Sequence, residues 1–343
     1  MTRRRLAPYL LMAPGFLWLA LFFVLPNIQM FLMSLSTRSG GTGLRKEYEL
    51  TWAFQNYVDV LTGFPVQFGN SLIYGGLATL LCFLIGFPLA YGIAFRGGRY
   101  KNVLLFLVIA PFFTSFLIRT ISWKILLGND GPALAILRDT LGIVPDNFNI
   151  LSTPLAVVSG LTYQFLPFMV LPLYVALEKV DFRLVEAARD LYAGPWRRGG
   201  AIVGGIGGLL FAVALFAGMG YIEATPAGLA SAALPILGIG ILGAFVFSVL
   251  ISEAFVRVIF PLSLSGIFAG SILTFIPAIG DFINSEILGS RDTTMIGQVI
   301  QRLFLNNNAY PEAAAIGFTL MAGVLVLIFL YARAVGADEL TRG

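Results

Sequence analysis

Six apolar runs of about twenty residues dominate the chain and decide its fold class. They cover roughly residues 8–35, 69–95, 102–123, 153–177, 262–287 and 311–334. As helices rising about 1.5 Å per residue, such runs are long enough to cross about 30 Å of hydrocarbon. No alternating pattern of barrel strands occurs. The sequence therefore predicts an all-α polytopic membrane protein.

Two further apolar runs, 200–222 and 229–251, lie between the fourth and the fifth of these spans. The segment that connects them contains no Lys or Arg, as expected for a turn outside the cytoplasm. A single additional span would reverse the orientation of everything after it. We therefore predict an inserted two-helix hairpin at 199–252. It either docks onto a partner or the other spans, or it is peripheral and faces lipid.

The basic residues set the orientation of the spans. With the N-terminus placed inside, fourteen of the twenty-two Lys and Arg residues fall on the cytoplasmic side. Cytoplasmic loops of membrane proteins carry such an excess of basic residues. Both termini are therefore predicted to be cytoplasmic, and the net charge of +4 is explained by topology without nucleic acid as a partner.

Composition also excludes several kinds of site. The chain has no His and one Cys, so a zinc or haem site, an internal disulfide and a His-based catalytic pair are not expected. No G-x-x-x-x-G-K-[ST] phosphate-binding loop occurs. The sequence predicts no cofactor and no metal, and a membrane-embedded enzyme is the least favoured class.

Two charged segments flank the predicted hairpin. In the first, Leu184, Ala187, Ala188 and Leu191 recur at helical spacing, and the two small alanines allow a partner surface to come close. Such a helix can pack one face into a groove on a partner protein. On these residues alone, an ordinary amphipathic helix between two spans is the favoured explanation of the pattern.

Several blocks of the sequence carry a resemblance to one family of membrane proteins. They are Ala110–Thr120, Leu166–Tyr174, Glu186–Leu191, Glu253–Leu262, Pro261–Gly266, Phe275–Phe282, Leu288–Gly289 and Met295–Gly297. In this order the blocks resemble the spermidine/putrescine permeases of ABC importers. The charged segment Glu186–Leu191, continued after the hairpin by Glu253–Leu262, resembles the EAA loop of that family, which docks on a separate ATPase.

The resemblance implies a type I ABC-importer permease core of six transmembrane helices, with the hairpin splitting its EAA loop. The expected domains are 1–198, the hairpin 199–252, and 253–343. The implied partners are a cytoplasmic ABC ATPase dimer, a second homologous permease subunit, an extracytoplasmic solute-binding protein and the lipid bilayer of the bacterial inner membrane. The implied ATPase-coupling residues are Glu186, Ala187, Ala188, Asp190, Ala193, Gly194, Arg257 and Pro261.

The chain departs from the family pattern at three places. Tyr192 stands where the family has Gly, and Val258–Pro261 replaces the terminal I-x-L-P element. The hairpin interrupts the loop between its two halves. Because two antiparallel helices return the chain to the same face, with ends about 8–10 Å apart, the two halves are still expected to lie side by side.

Polar residues inside the predicted spans are candidates for a substrate pathway. An ionisable group within a membrane span costs free energy, so such a group usually faces a partner or a pathway. Pro277 and Gly280 are expected to open the fifth span near these residues. A route lined by carboxylates suits polyamines, which are linear polycations. A structural pair between Arg119 and one of the acids is the alternative. The pathway candidates are Asp281, Asn284, Glu286, Tyr163 and Gln164.

Two other functions remain open at this stage. A permease of this kind could carry iron, sulfate or phosphonate instead, because an external binding protein makes most of the choice of cargo. A stand-alone secondary transporter would often show related halves with interrupted helices. Matching polar motifs are absent from the two halves of the sequence, which disfavours that class.

Overall fold

The computed structural model describes residues 3–40, 47–135, 149–181, 183–184, 187 and 255–335. Helices make up most of this part of the chain. The predicted hairpin 199–252 lies outside the described residues, as do five of the predicted coupling residues: Glu186, Ala188, Asp190, Ala193 and Gly194.

Thirteen α-helices and one pair of strands are described, and we number them in chain order. The helices are α1 Arg3–Leu19, α2 Leu25–Ser34, α3 Gln55–Gly63, α4 Pro65–Arg96, α5 Lys101–Ile109, α6 Phe116–Leu127, α7 Pro132–Ala135, α8 Pro154–Glu178, α9 Phe260–Leu262, α10 Leu264–Ile279, α11 Ile283–Leu288, α12 Ile296–Gln301 and α13 Tyr310–Val335. The strands are β1 Ser36–Gly40 and β2 Glu47–Leu50. Shorter helical turns join several of these helices, with π geometry at Ala20–Val24, Phe255–Ile259 and Arg302–Asn306 and 3₁₀ geometry at Gly98–Tyr100 and Ala110–Phe113.

Four of the described helical segments are long and apolar enough to span a membrane. They correspond to the first, second, fourth and sixth predicted runs. Their bounds are Leu11–Ser34, Pro65–Arg96, Pro154–Glu178 and Tyr310–Arg333.

The third predicted run is not one straight helix. Gly98–Phe113 and Phe116–Leu127 meet at an angle of 94°. Pro111 lies in the 3₁₀ turn before the break, and Thr114 and Ser115 both have extended ψ values, 149° and 137°. The Thr114 hydroxyl donates to the Pro111 carbonyl at 2.7 Å, which stabilises the turn. Because an extended residue cannot continue a helix, the run 102–123 forms a bent pair of helices rather than one continuous helix.

The fifth predicted run is interrupted, as the sequence led us to expect. Helix α10 ends at Ile279, and α11 begins at Ile283. Pro277 lies inside α10 without ending it. The interruption therefore falls at Gly280–Phe282, just after the proline.

The described residues divide into two compact units. The first comprises those within Met1–Gly69 and Met295–Leu327. Its core is a cluster of Val60 from α3 with Ile296, Val299, Ala315 and Ile316. Strands β1 and β2 form an antiparallel pair in this unit, with Ser36 opposite Leu50.

The second unit comprises the described residues within Asn70–Thr294 and Ile328–Gly343, and its main helix contact is between α8 and α10. A Cβ atom added at Gly266 would lie 2.5 Å from the Cβ of Ala176 and 2.7 Å from the Pro172 carbonyl oxygen. One turn later, a Cβ at Gly270 would lie 3.1 Å from the Met169 carbonyl oxygen. Small residues at this spacing let two membrane helices pack backbone to backbone.

Candidate functional site

A buried group of polar side chains joins three helices of the second unit. It contains Thr120 from α6, Gln164 from α8 and Asn284 from α11, with Asp281 just before α11. Asn284 and Thr120 are fully buried, and Asp281 is only 7% exposed. Buried polar groups are costly unless they are hydrogen-bonded, so the partners of each group decide what this cluster does.

Asp281 accepts hydrogen bonds from the first turn of α11. Its Oδ1 accepts from the backbone N–H of Asn284 at 2.8 Å, and its Oδ2 accepts from the side-chain Nδ2 of Asn284 at 3.3 Å. The first N–H groups of a helix have no partner within the helix. The interruption of the fifth span therefore leaves backbone N–H donors at the start of α11, and the Asp281 carboxylate accepts from one of them.

Thr120 connects the three helices. Its hydroxyl lies 3.2 Å from Asn284 Oδ1 and 3.1 Å from the Phe116 carbonyl oxygen, either of which can accept its proton. Gln164 Nε2 donates to Thr120 Oγ1 at 3.1 Å and lies 3.3 Å from the Phe116 carbonyl oxygen. These contacts link α6, α8 and α11 in one hydrogen-bond network.

A close approach of α8 to α11 makes this network possible. A Cβ atom at Gly160 would lie 2.5 Å from Leu288 Cδ1 and 3.2 Å from Asn284 Oδ1. The Ser152 backbone N–H, just before α8, donates to the Leu288 carbonyl at 2.9 Å. Gly160 therefore lets α11 lie against α8 at the level of the polar group.

Arg119 lies against aromatic rings. Its guanidinium carbon is 5.3 Å from the centroid of Phe112 and 5.7 Å from that of Phe116, which is cation–π distance. Its buried Nε and Nη1 atoms have no hydrogen-bond partner in the described part of the chain. Within the described part of the chain, Arg119 and Asp281 form no ion pair, and the oxygens of Asp281 bond to Asn284.

The predicted pathway residues thus fall into two groups. Asp281, Asn284 and Gln164 meet in the buried network, whereas Tyr163 and Glu286 are exposed. Tyr163 packs edge to face against Trp123, with centroids 5.5 Å apart.

Thr120, the residue at the centre of the network, was missed by the sequence reasoning. Its only signal was a hydroxyl beside Arg119 in an apolar run.

Three of the predicted coupling residues are described. Ala187 is helical and exposed, Pro261 is exposed in α9, and Arg257 lies in the π-helical turn before α9. At the end of α8 that leads into this segment, Lys101 Nζ lies 2.7 Å from Glu178 Oε1. Its ammonium group also lies 5.1 Å from the ring centroid of Tyr174, so the start of α5 lies beside the end of α8.

Comparison with known proteins gives relatives over nearly the whole chain. No family model matches the chain. It is 33% identical to the spermidine/putrescine transport system permease protein PotB of Haemophilus influenzae over 320 residues, covering 93% of this chain and 91% of that protein. It is 32% identical to the protein of the same name from Escherichia coli strain K12, covering 92% and 94%.

A solved structure has a similar fold. It is the crystal structure of a bacterial ABC transporter involved in the import of the acidic polysaccharide alginate. The TM-score is 0.57 at 17% identity, and the match covers 97% of this chain and 96% of that one.

Proposed function

Because the chain belongs to the PotB family of spermidine/putrescine transport system permeases, we propose that it is the membrane permease subunit of an ATP-driven polyamine importer. The observation that carries this proposal is 33% identity over 93% of the chain. The chain carries the route across the inner membrane, and ATP is hydrolysed on a separate subunit.

The proposed architecture is a core of six transmembrane helices with both termini in the cytoplasm. The bent pair α5–α6 serves as the third span, and α10 with α11 serves as the fifth. The parts are residues 1–198, the inserted hairpin 199–252, and 253–343. The clustering of Lys and Arg on one side supports this orientation.

The proposed cation route runs past the polar network. Polyamines carry several ammonium groups, each of which donates hydrogen bonds to carboxylate or amide oxygens and is attracted to aromatic faces. Exposed Tyr163 and Glu286 are the residues proposed to meet the cargo first. Asp281, Asn284 and Gln164 form the polar wall behind them. In this proposal Arg119 is held away from the route by Phe112 and Phe116.

The proposed link to ATP hydrolysis is the split EAA loop. Its first half contributes Glu186, Ala187, Ala188, Asp190, Ala193 and Gly194, and its second half contributes Arg257 and Pro261. Both halves dock on a cytoplasmic ABC ATPase dimer. A second homologous permease subunit completes the membrane channel, and an extracytoplasmic solute-binding protein delivers the cargo.

The cargo is tested with the complete complex in lipid vesicles. ATP hydrolysis is measured with the binding protein empty and loaded with spermidine or putrescine, and then with iron, sulfate or a phosphonate in place of the polyamine. We expect stimulation by the polyamines alone. Stimulation by one of the other solutes would refute the assignment of polyamines as the cargo. ATP hydrolysis that does not depend on the binding protein would refute the assignment as an importer.

The coupling loop is tested by charge reversal. Glu186→Arg should leave the complex assembled in the membrane while uptake of labelled spermidine falls and ATP hydrolysis no longer follows it. The amount of copurified ATPase serves as the control for assembly. Normal uptake by Glu186→Arg would contradict the coupling role.

The proposed hairpin is tested by labelling. A cysteine introduced as Ala227→Cys in a Cys82→Ser background should react with an impermeant thiol reagent added from outside. Reaction from the cytoplasmic side alone would make the inserted segment an enlargement of the cytoplasmic loop.

A further inference from the structure

Helix α3 runs between the ends of two membrane-spanning segments. The first span ends at Ser34, and the second begins at Pro65, two residues after α3 ends at Gly63. Both ends of α3 therefore lie close to the ends of candidate membrane spans.

Hydrogen bonds fix the start of α3 to the end of the first span. The Tyr57 hydroxyl lies 2.7 Å from Ser34 Oγ, and Asn56 Nδ2 donates to the Ser34 carbonyl at 2.9 Å. The Ala53 N–H donates to the Leu35 carbonyl at 2.9 Å. Because these contacts join α3 to the last residues of the first span, the depth of α3 follows from that of the span.

One face of α3 packs on the protein. Val60 is buried in the apolar core of the first unit, and Tyr57 and Phe64 pack against the same cluster. A second face, formed by Gln55, Asp59 and Thr62, is polar and exposed.

The third face of α3 is apolar and exposed. Phe54, Val58 and Leu61 follow each other at spacings of four and three residues, which places them in one stripe. They are 63%, 51% and 53% exposed. Trp52, which precedes the helix, is also exposed and has a left-handed φ of 55°. A bulky side chain in that conformation is rare, so the exposed Trp52 has a strained backbone conformation.

We propose that Trp52 and the stripe Phe54–Val58–Leu61 form an anchor that lies in the lipid–water interface, on the side of the membrane opposite the coupling loop. A helix with an apolar face beside a polar face can lie in this interface with the apolar face among the acyl chains. Trp is enriched there because its ring is amphipathic. The position of α3 between two span ends favours lipid over a protein partner as the occupant.

The anchor also sets the depth of the first unit in the membrane. Since α3 packs on α12 and α13 residues through its buried face, holding α3 in the interface holds the core of the first unit at a defined depth. This inference depends on the membrane-spanning segments and not on the identity of the cargo.

The test places nitroxide spin labels on the two exposed faces of α3. Single cysteines replace Val58 or Leu61 on the apolar face and Gln55 or Thr62 on the polar face, in a Cys82→Ser background. The whole complex is reconstituted in vesicles of phosphatidylethanolamine and phosphatidylglycerol. Collision rates are measured with oxygen, which concentrates in lipid, and with a water-soluble nickel chelate. All four positions are exposed, so the labels do not disturb the core.

We expect the ratio of oxygen to nickel collisions at Val58 and Leu61 to exceed that at Gln55 and Thr62 by about threefold or more, as for a helix lying in the interface. Equal ratios on the two faces would place the stripe in water and overturn the proposal. Protection of Val58 and Leu61 from both reagents would mean that a protein subunit covers the stripe, which overturns it as well.

Discussion

Replacing Thr120 by Val should weaken the packing of three helices at once. The two side chains have nearly the same shape, so the substitution removes a hydroxyl without opening a cavity. That hydroxyl accepts from Gln164 Nε2 and lies within hydrogen-bond distance of Asn284 Oδ1. Gln164 Nε2 keeps the Phe116 carbonyl as an acceptor. The main loss therefore falls on Asn284 Oδ1.

The size of the effect follows from the burial of Asn284. A buried polar atom left without its partner costs about 1–3 kcal/mol. Hydrogen bonds between membrane helices are worth less, about 0.6 kcal/mol on average and about 1.7 kcal/mol at most. Because Asn284 is fully buried and Thr120 is too, we expect a loss of about 1–2 kcal/mol in the free energy of unfolding.

Thr162 supplies the matched control. It is also buried, but its hydroxyl donates at 2.7 Å to the Val158 carbonyl of its own helix. The Thr162→Val substitution removes a bond within one helix and should cost less than about 0.5 kcal/mol, since that carbonyl stays in the helix ladder.

The assay is equilibrium unfolding in mixed micelles with increasing dodecyl sulfate, followed by circular dichroism. A double-mutant cycle with Thr120→Val and Asn284→Leu isolates the coupling between the two side chains. We expect a coupling of about 1 kcal/mol, within the range found for membrane helices. If Thr120→Val costs no more than Thr162→Val, the network does not hold the helices together and the reasoning is refuted.

Three further predictions concern helix contacts and charge. Gly266→Ala should lower the midpoint of unfolding, because the added Cβ would meet the backbone of α8. Gly317→Ala is the control and should not lower it, since nothing lies within 4 Å of a Cβ at that position. Equal midpoints for the two variants would contradict the close packing of α10 on α8. Asp281→Asn should reduce spermidine uptake while the complex still assembles, and failed assembly would assign Asp281 a structural role. Glu178→Gln should leave stability unchanged at low and high salt, because the Glu178 side chain is 49% exposed and solvent weakens its ion pair with Lys101. A salt-dependent loss of stability would contradict this.

Four of the spans could be predicted from the sequence because hydropathy averages over many residues. The break of the third run could not, because it depends on a few local angles. Pro111 was visible in the sequence, yet Pro277 lies within a helix that continues past it. The two places differ because Thr114 and Ser115 have an extended backbone. Neither a threonine nor a serine by itself prevents a helix, so the sequence does not reveal this break.

The polar cluster could be predicted in part for a similar reason. Asp281, Asn284 and Gln164 stand out because their side chains are costly in an apolar run. Thr120 does not, since a threonine in a membrane helix commonly donates to the carbonyl one turn earlier, as it can here to Phe116. Its contacts to Gln164 and Asn284 depend on tertiary packing, including the close approach of α11 to α8 at Gly160.

Both helix interruptions meet at this cluster, which bears on what Asp281 can do. Helix α6 begins at Phe116 and α11 at Ile283, so Thr120 and Asn284 each lie near the start of a helix that follows a break. The Asp281 carboxylate is already bound by two donors of Asn284. On the proposed route, these bonds take up part of the acceptor capacity of the carboxylate, so a passing ammonium group finds fewer open acceptor sites than on a free carboxylate, which favours brief contact over tight binding. A transport route needs cargo to leave as readily as it enters, and a carboxylate restrained in this way meets that requirement better than a free one.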